Sequence, residues 1–418
     1  MPIFWLGFLL AFGRLSFGES ALQRQVFDAV WSEIEANHYD PDFGGKDWHG
    51  IGAAYRERLP LIDTAEAFDA LLREMLSELG ESHYAIMASS QNELLPNHWG
   101  GGVAGLSVTV AEGRPVVHRP LPGSAAEQAG LTAGMAILSI NGEKVEALFE
   151  RARRSGAFES ALNAYWVQMI ENRLLGSPGD RVELVANGGL GGLPKRFPLE
   201  LEKYDGRMSV PLGHMGAMPV SMESSVGEGG IAYLRFDFWV PSLMEEIRSF
   251  IRALDEGVLG LIIDLRGNPG GIGIMATGMA GMLVEEDFRL GTMRMRKGYL
   301  NYNAYAQSGA YLGPVAILID ERSLSTSEIF AASMQESSRA RVFGTQSGGA
   351  ALPSMIKRLP NGYFLQMAIA DYETFHGSRL EGRGVVPDEA VPLSIRRLRQ
   401  GEDSVIEAAR KWVLQQAR

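Results

Sequence analysis

The stretch GPVAILIDERSLSTSEIFAASM, residues 313–334, places a cluster of hydroxyl side chains between an apolar run and an amphipathic one. The run VAILI is continuously apolar, which is typical of a strand buried on both faces of a parallel sheet. Reactive groups in α/β proteins gather where strands end and helices begin, so Ser325 is a candidate nucleophile. A helix cap is the alternative role for any of these hydroxyls, and Thr326 or Ser327 suits it best.

The same pattern of apolar strands and amphipathic helices extends on both sides of this stretch. Strand-like runs are IAYLRFDFW at 231–239, LGLIIDLRG at 259–267 and ARVFG at 340–344, with helical segments between them. The alternation predicts an α/β core with a central sheet covered by helices over residues 230–398. An amphipathic C-terminal helix is predicted within 399–418.

The first half of the chain shows two other sequence patterns. Residues 19–99 carry apolar residues at helical spacing and predict an N-terminal helical region. Residues 100–204 show short β-like runs separated by Gly and Pro, which predicts a β-rich domain. Residues 205–229 are rich in Gly, Met and Ser and predict an irregular connection. The chain is therefore predicted to be multidomain.

Composition excludes several classes of function. The 418-residue chain has 39 basic and 50 acidic residues, a formal net charge of −11, which disfavours nucleic acid as a partner. It has no cysteine, so disulfides, thiolate zinc sites and cysteine catalysis are excluded. Its seven histidines include no helical metal-binding pair, so we expect no metal and no cofactor.

The first 18 residues predict a signal peptide. The apolar run from Pro2 to Phe12 is too short to span a bilayer, and small residues at Ser16 and Gly18 allow cleavage before Glu19. No basic residue precedes the run, so a cytoplasmic protein with a buried first helix is the alternative. We expect an exported protein, periplasmic or extracellular, with no membrane span after processing.

A second glycine-rich element supports a catalytic role for Ser325. LIIDLRGNPGG, residues 261–271, ends a predicted strand in a turn with three glycines and a proline. Glycines let the backbone approach a substrate and direct amides at it, as an oxyanion hole requires. A simple tight turn is the alternative, whereas a phosphate loop is disfavoured because no GK[ST] follows.

Together these motifs resemble a known family. LIIDLRGNPGG, the stretch SLSTSEIFAASMQESSRARVFG at 323–344 and the closing GRGVVPDEAV at 382–391 look like the C-terminal-processing (tail-specific) serine peptidases and their tricorn-core relatives. The central segment GSAAEQAGLTAGMAILSINGEKV resembles part of a PDZ domain. The resemblance implies a ClpP/crotonase-like α/β core, a PDZ-like domain, peptide-hydrolysing activity and Ser325 as nucleophile.

The residue that activates the serine departs from the bacterial pattern. A lysine is expected after the strand, but Ala350 occupies that position, and Lys357 has the wrong offset. SELGESHYAIM, residues 77–87, is similar instead to the tricorn branch, in which a Ser-His pair supplies the base. That resemblance implies His83 as base, Ser82 as its partner and Glu381 in LEGRGVVPD as the supporting acid; His376 is the rival base.

The resemblance also implies the remaining site residues. Backbone amides of Thr326 and of Gly270 or Gly271 are the expected oxyanion donors. Residues Gly105, Leu106, Ser107 and Val108 begin the strand to which a peptide would add, because PDZ domains bind a chain terminus as an extra strand.

The sequence therefore predicts a serine endopeptidase that cleaves polypeptides, including segments near C-termini, through an acyl-enzyme at Ser325. The main alternative, motivated by the missing lysine, is an inactive peptide-binding protein with a PDZ module. A serine hydrolase for small esters or amides is a third possibility.

Overall fold

The computed structural model describes residues 21–87, 101–154, 157–188, 192–211, 213, 216–227, 229–255 and 257–416, so the predicted signal peptide lies outside the described residues. The N-terminal region is helical, as predicted. Its elements are α1 (Ala21–Asn37), α2 (Trp48–Arg58), α3 (Ala65–Ser77) and the short strand β1 (Ala85–Met87). Helix α3 is capped by Thr64, whose side chain accepts the amide of Ala67.

The second domain is β-rich. Its elements are β2 (Gly102–Val103), β3 (Leu106–Ala111), β4 (Arg114–Pro120), α4 (Ala125–Gln128), β5 (Ala136–Ile140), β6 (Glu143–Lys144), α5 (Val145–Arg154), α6 (Leu162–Glu171), β7 (Leu175–Gly176), β8 (Arg181–Asn187), β9 (Pro194–Glu200) and β10 (Glu202–Lys203). The main antiparallel sheet has the order β3-β4-β5-β8-β9, so β3 is an edge strand. Val108 of β3 and Val167 of α6 belong to one buried apolar cluster, which places α6 beside that edge.

The α/β core follows. Its elements are β11 (Met222–Val226), β12 (Ile231–Phe236), α7 (Pro241–Arg252), β13 (Gly260–Asp264), α8 (Ile274–Gly281), β14 (Phe288–Met295), β15 (Tyr299–Ala304), β16 (Val315–Ile319), α9 (Thr326–Glu336), β17 (Arg341–Gly344), β18 (Ser354–Arg358), β19 (Phe364–Ala368), β20 (Ala370–Thr374), β21 (Glu389–Ala390), α10 (Ile395–Arg399) and α11 (Ser404–Gln416). Short 3-10 turns lie at Phe43–Gly45, Leu59–Leu61, Glu159–Ala161 and Asn172–Leu174.

The central sheet has the order β11-β12-β13-β16-β17-β21, and all its pairings are parallel except that of β11 with β12. Every residue of β13 and β16 is buried, because helices cover both faces. On one face, Ile263 and Ile317 pack in a cluster with Phe330 of α9. On the other face, Ile262 packs in a cluster with Val413 of α11.

This topology positions the candidate site. Strands β13 and β16 are parallel neighbours, so the NPGG turn and the loop before Ser325 leave the sheet at the same edge. Strand β17 pairs in parallel with β16, and the segment that includes Ala350 follows it.

The N-terminal helices reach the same region through a small sheet with the order β1-β19-β18. Ile86 of β1 pairs with Leu365 of β19. Leu365 and Met367 are buried in one cluster with Phe27 of α1 and Leu72 of α3. The N-terminal helical region therefore packs on strands from the last quarter of the chain. The loop that contains His83 lies between α3 and β1 of this region.

One sequence interpretation was wrong in the connection between the domains. Residues 222–226, predicted to be irregular, form strand β11 at the edge of the central sheet. Its sequence MESSV is polar and half-exposed to exposed, so it lacks the apolar signal of the inner strands.

Within the described ranges, no helix is long and apolar enough to cross a membrane.

Candidate active site

Ser325 occupies a strained turn between β16 and α9. Its backbone has φ +54° and ψ −116°, a conformation that side chains rarely adopt and that costs on the order of 1–3 kcal/mol. The Ser325 amide donates to the Ala350 carbonyl at 2.8 Å and to Glu328 Oε2 at 3.0 Å. A side chain at Gly270 would bring its Cβ within 2.7 Å of the Ser325 Cβ, so only glycine lets the NPGG turn approach this closely.

The neighbouring hydroxyls do not cap α9, which corrects the sequence interpretation. Ser325 itself holds the N-cap position. The hydroxyl of Thr326 donates to the Gly271 carbonyl at 3.0 Å, and that of Ser327 donates to the Asn268 carbonyl at 3.1 Å. Both hydroxyls therefore hold the NPGG turn against the start of α9.

The two candidate glycines differ in how their amides are used. The Gly270 amide donates to Asn268 Oδ1 at 2.9 Å, so it is already engaged. Within the part of the chain that the structure describes, the amides of Gly271 and Thr326 have no hydrogen-bond acceptor. The contacts therefore favour Gly271 over Gly270 as the partner of Thr326 in an oxyanion hole.

Ser82, His83 and Glu381 form a hydrogen-bonded relay. The Ser82 amide donates to Glu381 Oε1 at 2.7 Å, and its hydroxyl donates to Glu381 Oε2 at 2.9 Å. The Ser82 Oγ lies 2.7 Å from His83 Nδ1. Because the single hydroxyl proton is directed at Glu381, Oγ accepts from Nδ1–H, and Nε2 of His83 is left as a proton acceptor.

The segment that follows β17 connects this relay to Ser325. The carbonyl of Ala350 accepts the Ser325 amide, and the next amide, of Ala351, donates to Glu381 Oε2 at 2.9 Å. Among the described residues no hydrogen bond joins the Ser325 hydroxyl to the His83 ring. The structure thus places Ser82, His83 and Glu381 in mutual contact and connects them to the Ser325 backbone through residues 350 and 351.

The electrostatics of the relay favour a neutral base. Burial lowers the pKa of His83 to about 4, so its imidazole is uncharged near neutral pH. Burial raises the pKa of Glu381, and the hydrogen bonds from Ser82 and Ala351 oppose that rise. His83 also has φ +63°, a second strained backbone conformation within the site.

The alternative bases lie elsewhere. Lys357 Nζ lies 2.5 Å from Glu33 Oε1 on an exposed part of β18. His376 is exposed, and its ring packs against Phe375 with centroids 5.3 Å apart. Ala350, at the expected lysine position, is buried and contributes only its backbone.

Glu328 is a residue of the site that sequence reasoning missed. Its side chain is fully buried and accepts hydrogen bonds from Ser347 Oγ at 2.6 Å, Gly349 N at 2.7 Å and Ala350 N at 3.0 Å, besides that from Ser325. Burial raises its pKa to about 7. The spacing of Ser325 and Glu328, with the acid three residues after the serine, was the available signal.

Two cavities adjoin the site. One, of about 550 Å³, runs from Gly105 and Leu106 of the β-rich domain to Phe238, Pro269 and Leu324 of the core. The other, of about 430 Å³, is lined by residues that include Ser82, Phe158 and Tyr165. Phe238 lines the first cavity, whereas Phe236 and Trp239 are buried in the core.

The predicted peptide-binding edge of β3 is covered at Val108. The Val108 amide donates to Glu171 Oε1 at 3.2 Å, and its carbonyl accepts from Arg322 Nη1 at 3.0 Å. Arg322 and Glu171 are also paired, with Nη2 and Oε2 2.6 Å apart. Arg322 lies three residues before Ser325, so one ion pair joins the Ser325 loop to the β-rich domain.

Comparison with known proteins gives the same domain order. Residues 230–391 match the family model of peptidase family S41, residues 21–77 match that of the tricorn protease C1 domain, and residues 94–153 match that of the PDZ domain. A carboxyl-terminal-processing protease from Picosynechococcus is 27% identical over 370 residues, which cover 87% of this chain and 82% of the relative.

Two further proteins extend the likeness. A putative tricorn protease homolog 2 from Streptomyces coelicolor is 26% identical over 385 residues, covering 87% of this chain but 30% of that protein. The solved structure of a photosystem II D1 C-terminal processing protease shares the fold, with a TM-score of 0.60 and 21% identity over 91% of this chain and 98% of that one.

Proposed function

Because this chain belongs to the C-terminal-processing serine peptidases, we propose that it is an endopeptidase that cleaves polypeptides, including segments near C-termini, at Ser325. One observation supports the role of His83 as the base. The hydroxyl of Ser82 lies between Glu381 and His83 and leaves Nε2 of His83 as a proton acceptor. An inactive peptide-binding protein finds no support, because the curated relatives reported above are named as proteases.

The reaction proceeds through an acyl-enzyme. Ser325 Oγ attacks the scissile carbonyl carbon, and its proton passes to Nε2 of His83. The carbonyl oxygen gains negative charge, and the amides of Gly271 and Thr326 stabilise it. His83 then gives the proton to the leaving amine. A water molecule, deprotonated by His83, hydrolyses the ester and restores Ser325.

The last contact of the relay forms when substrate binds. Hydrogen bonds between a nucleophile and its base are often long in unliganded enzymes and shorten in the substrate complex. The Ser325 backbone and the Glu381 carboxylate already share the Ala350–Ala351 segment, so only the side chains of Ser325 and His83 have to approach.

The PDZ-like domain binds the substrate as an added strand on residues Gly105 to Val108 and gates the site. A peptide that pairs with β3 needs the amide and carbonyl of Val108, which Glu171 and Arg322 occupy. Binding therefore displaces an ion pair that is anchored next to the nucleophile.

Export of the protein rests on the apolar run from Pro2 to Phe12. Processing at the predicted position would leave Glu19 as the first residue, which N-terminal sequencing of the protein recovered from a periplasmic fraction would detect. A product that retains Met1 would contradict this assignment.

The activity is tested with an unfolded polypeptide labelled at its C-terminus and with p-nitrophenyl esters. We expect the protein to release labelled C-terminal fragments and Ser325→Ala to release none. Ser337→Ala, at the other end of the same helix, is the control and should keep the wild-type rate. Turnover of esters without cleavage of the polypeptide would favour a small-ester hydrolase and contradict the proposal.

A further inference from the structure

The loop that carries the proposed base is fixed by two contacts with one other loop. Residues 80–84 have no regular secondary structure, so side-chain contacts must hold His83 in place. On the buried side Ser82 binds Glu381, and on the other side Glu81 Oε1 lies 3.5 Å from Arg379 Nη2. We propose that Glu81 and Arg379 are positioning residues that set the orientation of His83, an inference that rests on the proposed function.

A buried histidine and a half-buried tyrosine bind the carboxylate of Glu81. His38 is 1% exposed, and its Nε2 lies 3.2 Å from Glu81 Oε2. The Tyr39 hydroxyl donates to Glu81 Oε1. The His38 ring stacks on Tyr39 with centroids 4.7 Å apart, and its Nδ1 lies 2.8 Å from the Asp40 carbonyl. Both oxygens of Glu81 are therefore bound by groups whose own positions are fixed.

Arg379 is likewise bound by several groups. Its Nε lies 2.9 Å from Asp371 Oδ2 on strand β20, and its Nη2 donates to the Tyr39 hydroxyl at 2.8 Å. The backbone of residue 379 also forms a β-bridge with Glu373. Two residues later, the carboxylate of Glu381 accepts hydrogen bonds from the amide and the hydroxyl of Ser82. Strand β20 thus holds Arg379, and Glu381 follows in the same loop.

The charge of Glu81 suits this role. Burial raises its pKa, but the hydrogen bonds from His38 and Tyr39 together with neighbouring charges, including that of Arg379, outweigh burial, so the pKa lies below its usual value and the group stays a carboxylate. A salt bridge with a half-exposed partner contributes little to folding stability. A small displacement of a catalytic group, by contrast, can reduce turnover strongly. Loss of this contact should therefore change turnover more than stability.

The test compares Glu81→Gln and Arg379→Met with a matched control pair. Arg294 and Glu373, on the neighbouring strands β14 and β20, form an ion pair of 2.7 Å with a similarly half-exposed arginine. With a fluorogenic peptide as substrate, each test variant should lower kcat about tenfold with KM unchanged, because positioning is lost while binding is kept. Arg294→Met should behave as wild type, and Arg379→Lys should recover part of the loss.

The double variant and the thermal midpoint complete the experiment. Glu81→Gln/Arg379→Met should be no slower than the slower single variant, because both remove one contact. Labelling of Ser325 by a fluorophosphonate should slow by the same factor as kcat, with the midpoint close to that of the control. Wild-type kcat in both test variants, additive losses, or a rise in KM alone would overturn the inference. A Ser325→Ala variant that keeps full activity would instead overturn the proposed function.

Discussion

The main-chain amide of Ser82 donates to Oε1 of Glu381 at 2.7 Å, although 299 positions separate the two residues. A second hydrogen bond joins the Ser82 hydroxyl to the other carboxylate oxygen. The carboxylate therefore fixes both the backbone and the side chain of the residue that precedes the proposed base. This places the support of His83 in the contact between the first helical region and the last quarter of the chain.

The first prediction concerns the Ser82 hydroxyl. Ser82→Ala leaves His83 Nδ1 without its partner and releases the ring from the orientation that Glu381 imposes. We expect kcat to fall about 100-fold with KM little changed, since the loss lies in the orientation of the base. Ser77→Ala, at the exposed end of α3, is the control. A rate for Ser82→Ala equal to that of the control would mean that Ser82 does not orient the base.

The second prediction follows from the lowered pKa of His83. The neutral imidazole is the active form, so the acid limb that His83 contributes to kcat/KM should lie near pH 4, far below the usual histidine value of 6.5. Between these two values the unfolded chain binds a proton at His83 that the folded chain does not, so this group makes the protein more stable as the pH rises. In Glu328→Gln, which cannot titrate at position 328, an acid limb of the pH–rate profile near 6.5, measured with a labelled peptide, would contradict a neutral base of lowered pKa.

The third prediction concerns Glu328, whose pKa burial raises to about 7. Protonation removes an acceptor for one of its four donors and so loosens the Ser325 backbone and the Gly349–Ala350 segment. Activity should therefore rise as the pH increases through 7. The folded chain binds the extra proton between 4.5 and 7, so the contribution of this group to stability falls over the same range.

Glu328→Gln tests this account, because an amide cannot titrate. We expect the step in kcat/KM near pH 7 to disappear and the rate above pH 8 to fall by about tenfold, since one acceptor oxygen is lost. The acid limb of His83 can then be measured without interference in this variant. An unchanged step near pH 7 would assign that titration to another group.

The fourth prediction concerns the covered edge of β3. Arg322→Ala removes the group that occupies the Val108 carbonyl, so peptides ending in a free carboxylate should bind the domain several-fold more tightly. Arg119 and Glu223 form another ion pair between the PDZ-like domain and the core, but Arg119 lies on the inner strand β4, so Arg119→Ala is the matched control. Fluorescence anisotropy of a labelled peptide measures both affinities. Equal affinities in the two variants would show that Arg322 does not compete with the peptide.

The sequence was sufficient for the fold class because buried parallel strands are continuously apolar. The runs that became β13 and β16 are buried at every residue. Strand β11 was missed for the converse reason, because an edge strand with exposed serines has no apolar pattern. The sequence predicted a helix at this point, but Ser325 holds its N-cap position, and the hydroxyls of Thr326 and Ser327 bind the NPGG turn instead of capping α9.

The candidate site could be predicted residue by residue only through the family resemblance. Spacing cannot pair Ser82 with Glu381, or Glu81 with Arg379, because tertiary packing alone brings these segments together. The choice between Gly270 and Gly271 was also beyond the sequence, since it depends on the side chain of Asn268 accepting one amide and not the other. The burial of Glu328 depends on four hydrogen-bond donors, three of which come from a segment about 20 residues further along the chain.

The rate at which a fluorophosphonate labels Ser325 tests the central claim most directly. Mass spectrometry should locate the label on Ser325 in the wild-type protein and find none in Ser325→Ala. His83→Ala should be labelled at least about 100-fold more slowly, because the serine then lacks its base. Labelling of Ser325 at the wild-type rate in folded His83→Ala would contradict the account, since the proton of Ser325 would then pass to some other group.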